Sequence, residues 1–271
     1  MSLRAVVTTV SALALLAGAG CRRSSPGGAA SGSALTVAGS TSVQPFVEKW
    51  AEVWGSRQAG WVVNVQGGGS TAGIRAAQSG TAQVGTVSRE LKPEEQGLTP
   101  IVVARDGIAV IVHRDNPVTD LTLEQVKGIF TGAIKRWSEL GGADKPITVI
   151  TREEGSGTRG AFEELALSQQ PIASSALVQD STGAVREMVH RDGSAIGYIS
   201  IGLVNQQVRA LKISGVVADE AAVVAGTYRL VRPFLFVVKG TPSGATKEFL
   251  DFVLSPEGQE LVRREGLIPA K

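Results

Sequence analysis

The stretch Thr151–Leu165, TREEGSGTRGAFEEL, constrains the fold more than any other part of the chain. PITVI, from Pro146 to Ile150, precedes it, a short β-branched run bounded by a proline that predicts a buried strand. After it, Ala161, Phe162, Leu165 and Ala166 recur at helical spacing. The polar segment therefore joins a strand to a helix start, with Gly155, Ser156, Gly157 and Thr158 where the helix begins. Small side chains there let the backbone approach a ligand, and the free N–H groups of a helix N-terminus favour an anion. Upstream of Ser156, Arg152 offers a planar fork of donors suited to a tetrahedral oxyanion. Taken alone, the segment equally fits a capped helix beside a solvated arginine.

The arrangement recurs. A strand at Leu35–Ala38 leads into Gly39, Ser40, Thr41 and Ser42. A helix follows whose apolar stripe is Val43, Phe46, Val47, Trp50, Val53 and Trp54, with Pro45 in its first turn. WVVNVQ (Trp61 to Gln66) reads as a strand, GGGST (Gly67 to Thr71) as a turn, and AGIRAAQSG as a helix. A further strand, Gln83 to Val87, ends in Ser88 and Arg89, and ligands in open α/β sheets sit at such strand ends. Arg89 also reads as a surface ion-pair partner for Glu90 or a neighbouring acid. One helix cap needs only one hydroxyl. Three turns of the same chemistry converge on an anion, to which each N–H or hydroxyl bond contributes about 1.5 to 3 kcal/mol.

Two long apolar runs stand apart. PIVVARDGIAVIVH is broken only at Arg105, Asp106 and Gly107, and YRLVRPFLFVVKG only at Arg232 and Pro233; strands of this length can run from one domain into another. DLTLEQVKGIF offers Thr122 and Gln125 as a capping box. FTGAIKRWSELGG reads as irregular surface structure around Trp137. SALVQD, GAVREMVHRD and AIGYIS are short strand and helix signals. The C-terminal segment predicts two helices, the last capped by Ser255, with Pro256 and Glu257 in its first turn and Gly266 near its end.

Composition excludes several classes. The 271 residues, 43% hydrophobic, suffice for two modest domains or one large one. A formal charge of +2 and 5% aromatic residues do not make the basic, stacking surface of a nucleic-acid binder. His113, His190 and the single Cys21 are too few for a zinc site, and no disulfide can form within the chain. No Walker A lysine and no G-x-S-x-G elbow occur. GSGTRG, Gly155 to Gly160, does fit G-x-G-x-x-G, and Asp180 follows the strand-like SALV, so an NAD(P)-dependent enzyme is the alternative from another class. Against it, Arg152, Glu153 and Glu154 separate strand from glycines, and the other turns are left idle.

Residues 1–20 carry Arg4, an apolar run from Ala5 to Leu16 and a small-residue ending, the build of a secretory signal. Cys21 directly after it resembles the lipidated first residue of a bacterial lipoprotein, with Gly18 where that pattern prefers Leu. The Gly-, Ser- and Ala-rich residues that follow, within 21–34, read as a flexible tether.

Together AGSTSVQP, GGGSTAGI, VGTVSREL, ARDGIAVIVH, FTGAIKRW, REEGSGTRGAF, AIGYIS, YRLVRPFLFV and LSPEGQ resemble the phosphate-binding lipoproteins of ABC-type phosphate importers. The resemblance spans nearly the whole mature chain. It implies a type II periplasmic binding protein fold, two α/β lobes joined by two crossing strands near Asp106 and Arg232. Lobe I is then 35–105 plus 232–271 and lobe II 106–231. It also implies phosphate held in the cleft by Thr41, Ser42, Ser70, Arg152, Ser156, Gly157 and Thr158, with no catalysis, cofactor or metal. The partners implied are inorganic phosphate, a permease of the ABC transporter and a membrane reached through Cys21, with a monomeric chain held outside the cytoplasm.

Where the best-known branch of that family has an Asp that accepts the ligand proton, Ser88 stands here. Asp106 is the candidate substitute if it faces the cleft, and a salt bridge to Arg152 or Arg89 is its other reading. Sulfate, molybdate or tungstate, or a sensing role, stay open as alternatives.

Overall fold

The computed structural model describes residues 33–270. The signal reading of 1–20, the lipidation of Cys21 and most of the 21–34 tether lie outside them. In chain order the first elements are β1 (Ser33–Gly39), α1 (Gln44–Gly55), β2 (Trp61–Gln66), α2 (Ser70–Ser79), β3 (Val84–Val87) and β4 (Thr99–His113). Next come β5 (Asp120–Leu121), α3 (Leu123–Phe130), β6 (Thr148–Arg152), α4 (Gly157–Leu167), β7 (Leu177–Gln179) and α5 (Thr182–Arg191). They are followed by β8 (Ala195–Ser200), β9 (Val208–Ala210), β10 (Lys212–Ile213) and α6 (Glu220–Val224). The chain ends in β11 (Val231–Val238), α7 (Gly244–Val253), α8 (Pro256–Arg264) and β12 (Ile268–Pro269).

The strands order as β2-β1-β3-β11-β4-β8-β6-β7, with β9 and β12 also on β4 and a separate β5–β10 pair. β1, β2 and β3 are parallel, as are β6, β7 and β8, so each end of the sheet is a βα unit layout. β11 and β4 run antiparallel between them. This is the α/β architecture expected, and β4 is what makes it two-lobed. Its Val103 and Ala104 pack in a core with Phe46, Trp50, Phe236 and Phe249, whereas Ile108 to Val112 belong to a second core with Phe130, Phe162 and Tyr198. Full burial of each such aliphatic or aromatic side chain contributes about 1.5 to 3 kcal/mol. The return strand makes the same change, Val231 packed against the second core and Phe234 in the first. The polar breaks of both sequences, Asp106 and Arg232, fall between the cores and are register partners.

Local signals explain the element ends. Thr122 and Gln125 form the reciprocal capping box. Ser255 accepts the Gly258 N–H, with Pro256 at the helix start. Three readings need correction. Trp137 is not surface structure: it opens a 3-10 turn at Trp137–Leu140, is 2% exposed, and its Nε1 donates to the Ser194 carbonyl at 2.9 Å. The tether ends earlier than expected, since Ser33 and Ala34 already pair with Trp61 and Val62. The strand read as Pro146 to Ile150 runs instead from Thr148 to Arg152, which places the arginine at its last residue.

Candidate ligand-binding site

Four strand-to-helix turns bring their small polar residues to one place. The turn after β1 carries Ser40, Thr41 and Ser42, of which Ser40 and Ser42 are buried. None of these hydroxyls caps α1, whose N-cap is Val43 without a side-chain bond, so all are left for other partners. The turn after β2 reaches Ser70 through Gly68 and Gly69 at φ 138° and 89°, backbone that only glycine adopts without strain. The turn after β6 holds Ser156, Gly157 and Thr158 at the start of α4. The fourth, after β7, carries Ser181 and Thr182 at the start of α5.

Direct bonds tie these turns together. Ser42 Oγ lies 2.7 Å from Thr158 Oγ1 and 2.8 Å from Thr182 Oγ1. The Thr182 N–H donates to Thr41 Oγ1 at 3.3 Å. The Thr71 N–H donates to the Gly155 carbonyl at 3.1 Å. A β-carbon on Gly157 would stand 2.1 Å from Ser70 Oγ and 2.7 Å from Ser88 Oγ, so this contact requires glycine. The first turn of α4 thus lies against α2 and the end of β3, and GSGTRG faces hydroxyls from elsewhere in the chain. That packing gives the dinucleotide reading no support.

Arg152 is 1% exposed. Its Nε and Nη2 donate to the two oxygens of Glu153 at 2.9 and 2.8 Å, and also to the carbonyls of Gln179 and Asp180, both at 3.2 Å. Nη1 donates to Thr182 Oγ1 at 3.2 Å and, having two hydrogens, keeps one. Behind it, Tyr198 accepts the Arg152 N–H at 3.4 Å and its hydroxyl lies 2.8 Å from Thr151 Oγ1. Burial pushes the Tyr198 phenol well above its usual range, so it stays protonated.

Each residue singled out in the sequence has a definite place. Thr41, Ser42, Ser70, Ser88, Arg152, Ser156, Gly157 and Thr158 all meet here. Ser156 caps α4 by accepting the Arg159 N–H at 3.2 Å, which leaves its own hydrogen to give. Ser88 accepts from Ser40 Oγ at 2.9 Å, and its N–H donates to Ser70 Oγ at 3.1 Å. Asp106 pairs with neither Arg152 nor Arg89. Its Oδ2 receives Arg232 and its Oδ1 receives Ser200 Oγ at 2.7 Å. Arg89 is buried rather than a surface ion pair, its guanidinium bidentate on Glu95 at 2.7 Å. Sequence reading missed Thr182, although QDSTG repeats the strand, hydroxyl, helix order of the other turns.

Two α/β lobes with a buried site of hydroxyls, helix starts and a guanidinium between their cores define the class: a two-lobed solute-binding protein, with the ligand at the carboxyl ends of the strands. The chain belongs to the PBP superfamily, whose domain model matches residues 24–257. It is similar to the phosphate-binding protein PstS of Bacillus subtilis, 36% identical over 247 residues that cover 89% of this chain and 81% of that one. Among solved structures it resembles a Clostridium perfringens protein crystallised with bound phosphate and described as a candidate phosphate ABC transporter substrate-binding protein. The TM-score is 0.85 at 42% identity, over 88% of this chain and 100% of that one. An ABC-type phosphate transport receptor from Vibrio cholerae is 37% identical with a TM-score of 0.72, covering 86% and 99%.

Proposed function

We propose that the chain is an extracytoplasmic solute-binding protein that captures inorganic phosphate between its lobes and delivers it to the permease of an ABC transporter. The observation that carries this is the meeting of four strand-to-helix turns around one buried guanidinium. Helix starts and hydroxyls supply donors to a tetrahedral anion, and Arg152 supplies the charge. Many donors at once offset the cost of drying a small dianion, with about 1.5 to 3 kcal/mol from each. The named relatives are phosphate proteins, and the two solved structures are described as belonging to ABC-type phosphate transport.

In this reading Thr41, Ser42, Ser70, Ser88, Arg152, Ser156, Gly157 and Thr158 hold the anion, and Thr182 joins them. Asp106 acts at the crossing instead, as the partner of Arg232. The lobes divide at 105/106 and 231/232, where β4 and β11 pass from one core to the other, and closure is a hinge motion at those strands. The protein binds and releases without chemistry, as a monomer. Cys21 carries lipid and holds the domain at a membrane, each buried methylene contributing about 0.8 kcal/mol. Calorimetric titration with phosphate tests the main claim, and no heat of binding would end it. Cys21→Ser tests the anchor: the variant should move from the membrane to the soluble fraction.

A further inference from the structure

A run of buried polar bonds crosses from one core to the other through β4 and β11. Ser88 follows β3, whose Val84 lies in the first core, and its carbonyl accepts from Arg232 Nη1 at 3.1 Å. Nε and Nη2 of that guanidinium donate to Asp106 Oδ2, and Asp106 Oδ1 accepts from Ser200 Oγ at 2.7 Å. Ser200 ends β8, whose Ile196, Tyr198 and Ile199 lie in the second core. All four residues are buried. Both ends of the run reach the candidate site. The Ser88 N–H donates to Ser70 Oγ and its hydroxyl accepts from Ser40, so Arg232 grips the carbonyl of a residue whose other polar groups are bonded to two of the turns. Two residues before Ser200, on the same face of β8, Tyr198 accepts the Arg152 N–H at 3.4 Å. Bending β4 and β11 between the cores changes the distance from Arg232 to Ser88 or from Asp106 to Ser200, because the two serines are fixed in different cores. The charge pair does not yield first, since parting it strands two buried charges. The bonds to the serines give way before it.

We propose that Arg232 and Asp106 are positioning residues for the anion: through Ser88 and Ser200 they hold the two cores at the angle at which the hydroxyl turns meet, and so set how fast a bound anion leaves. The inference rests on the phosphate-capture reading and gives the crossing pair a part in it beyond stability. Both residues act through others, Arg232 through the Ser88 carbonyl and Asp106 through the Ser200 hydroxyl. The run is complete only while the turns are together. Cutting it therefore speeds release and leaves the first encounter with the anion unchanged.

The experiment measures association and release of radiolabelled inorganic phosphate, the release chased with unlabelled phosphate, and urea unfolding on the same samples. Ser200→Ala removes one hydroxyl and leaves the charge pair whole. Arg232→Lys keeps a charge opposite Asp106, but one ammonium cannot also hold the Ser88 carbonyl in the geometry of the fork. Each variant should release phosphate about tenfold faster, with its association rate as in the parent. With Arg232→Lys in place, adding Ser200→Ala should speed release little further, because the run is already cut. Release as slow as the parent's in both single variants, even where urea midpoints fall, would make the pair structural alone and overturn the inference, and so would effects on release that add in full. Either result leaves phosphate capture standing. A parent that binds no phosphate brings down the two together.

Discussion

Arg232 and Asp106 face each other on the two strands that pass between the cores, with Nε and Nη2 of the arginine donating to Oδ2 at 2.9 and 2.8 Å. Both are buried. Oδ1 accepts from Ser200, so with Arg232 on Oδ2 both carboxylate oxygens are already engaged by protein donors. Burial pushes the Asp106 carboxyl up and the Arg232 guanidinium down, and each partner opposes the other's shift. Nη1 of Arg232 also donates to the Ser88 carbonyl at 3.1 Å, which connects the crossing to the site. Asp106→Asn should therefore cost stability, about 3 to 5 kcal/mol for stripping one partner from a buried pair. Urea unfolding reads the loss. In the folded fraction the ratio of phosphate to sulfate affinity should not move, and a changed ratio would return Asp106 to the ligand set.

Removing the guanidinium at the site has a different signature. Arg152→Ala leaves the anion without its cationic partner and should weaken phosphate binding by about 3 to 5 kcal/mol. Titration calorimetry measures it, on samples whose far-ultraviolet dichroism matches the parent. Arg152→Lys should recover little, because one ammonium cannot reproduce a fork that reaches Glu153, two carbonyls and Thr182 at once. Unchanged affinity in the alanine variant would displace Arg152 from the site.

Three of the four turns were legible because each lies between strong, well-separated strand and helix patterns. Thr182 was not, because β7 is three residues long with two of them exposed, and α5 is polar along much of its length. Its chemistry was visible in QDSTG, its place was not. The partner of Asp106 was beyond reach for another reason. Arg232 lies 126 residues away, and only the register of β4 on β11 brings them together. Trp137 looked superficial among polar neighbours, since local periodicity does not reveal an indole buried against a carbonyl 57 residues on. Arg89 was legible in part: the ion pair with a neighbouring acid is there, at Glu95 six residues on, but it is buried, which local sequence did not reveal.

Thr182 separates contact from mere packing. Its hydroxyl touches Ser42 and receives Arg152, and its N–H reaches Thr41, so it joins the first turn to the guanidinium. Thr182→Val keeps the shape and removes the hydroxyl, leaving Arg152 Nη1 without that acceptor. Phosphate affinity should fall by about 1 to 3 kcal/mol. Thr182→Ser should restore it, since the hydroxyl and not the methyl does the joining. If the serine variant binds as poorly as the valine one, the residue matters through packing alone.

Glu95 offers a test by pH. Its side chain is 11% exposed, and burial alone would raise its pKa. The two bonds from Arg89, the Lys92 N–H and the charge of Arg89 outweigh that and hold the carboxyl below its usual range. A folded pKa below the unfolded one means that the unfolded chain binds the proton more readily, so stability rises with pH through that interval. The contribution is present above the ordinary carboxylate range and is lost as pH falls through the depressed value. Urea midpoints measured from neutral to acidic pH should show the parent losing its advantage over Glu95→Gln on acidification, with the gap widest near neutrality. A constant gap at every pH would mean that Glu95 acts by shape and not through its charge. Because Arg89 also packs its stem against Gly160 on α4, a parallel loss of phosphate affinity in Glu95→Gln would show that this pair sets the position of the α4 start.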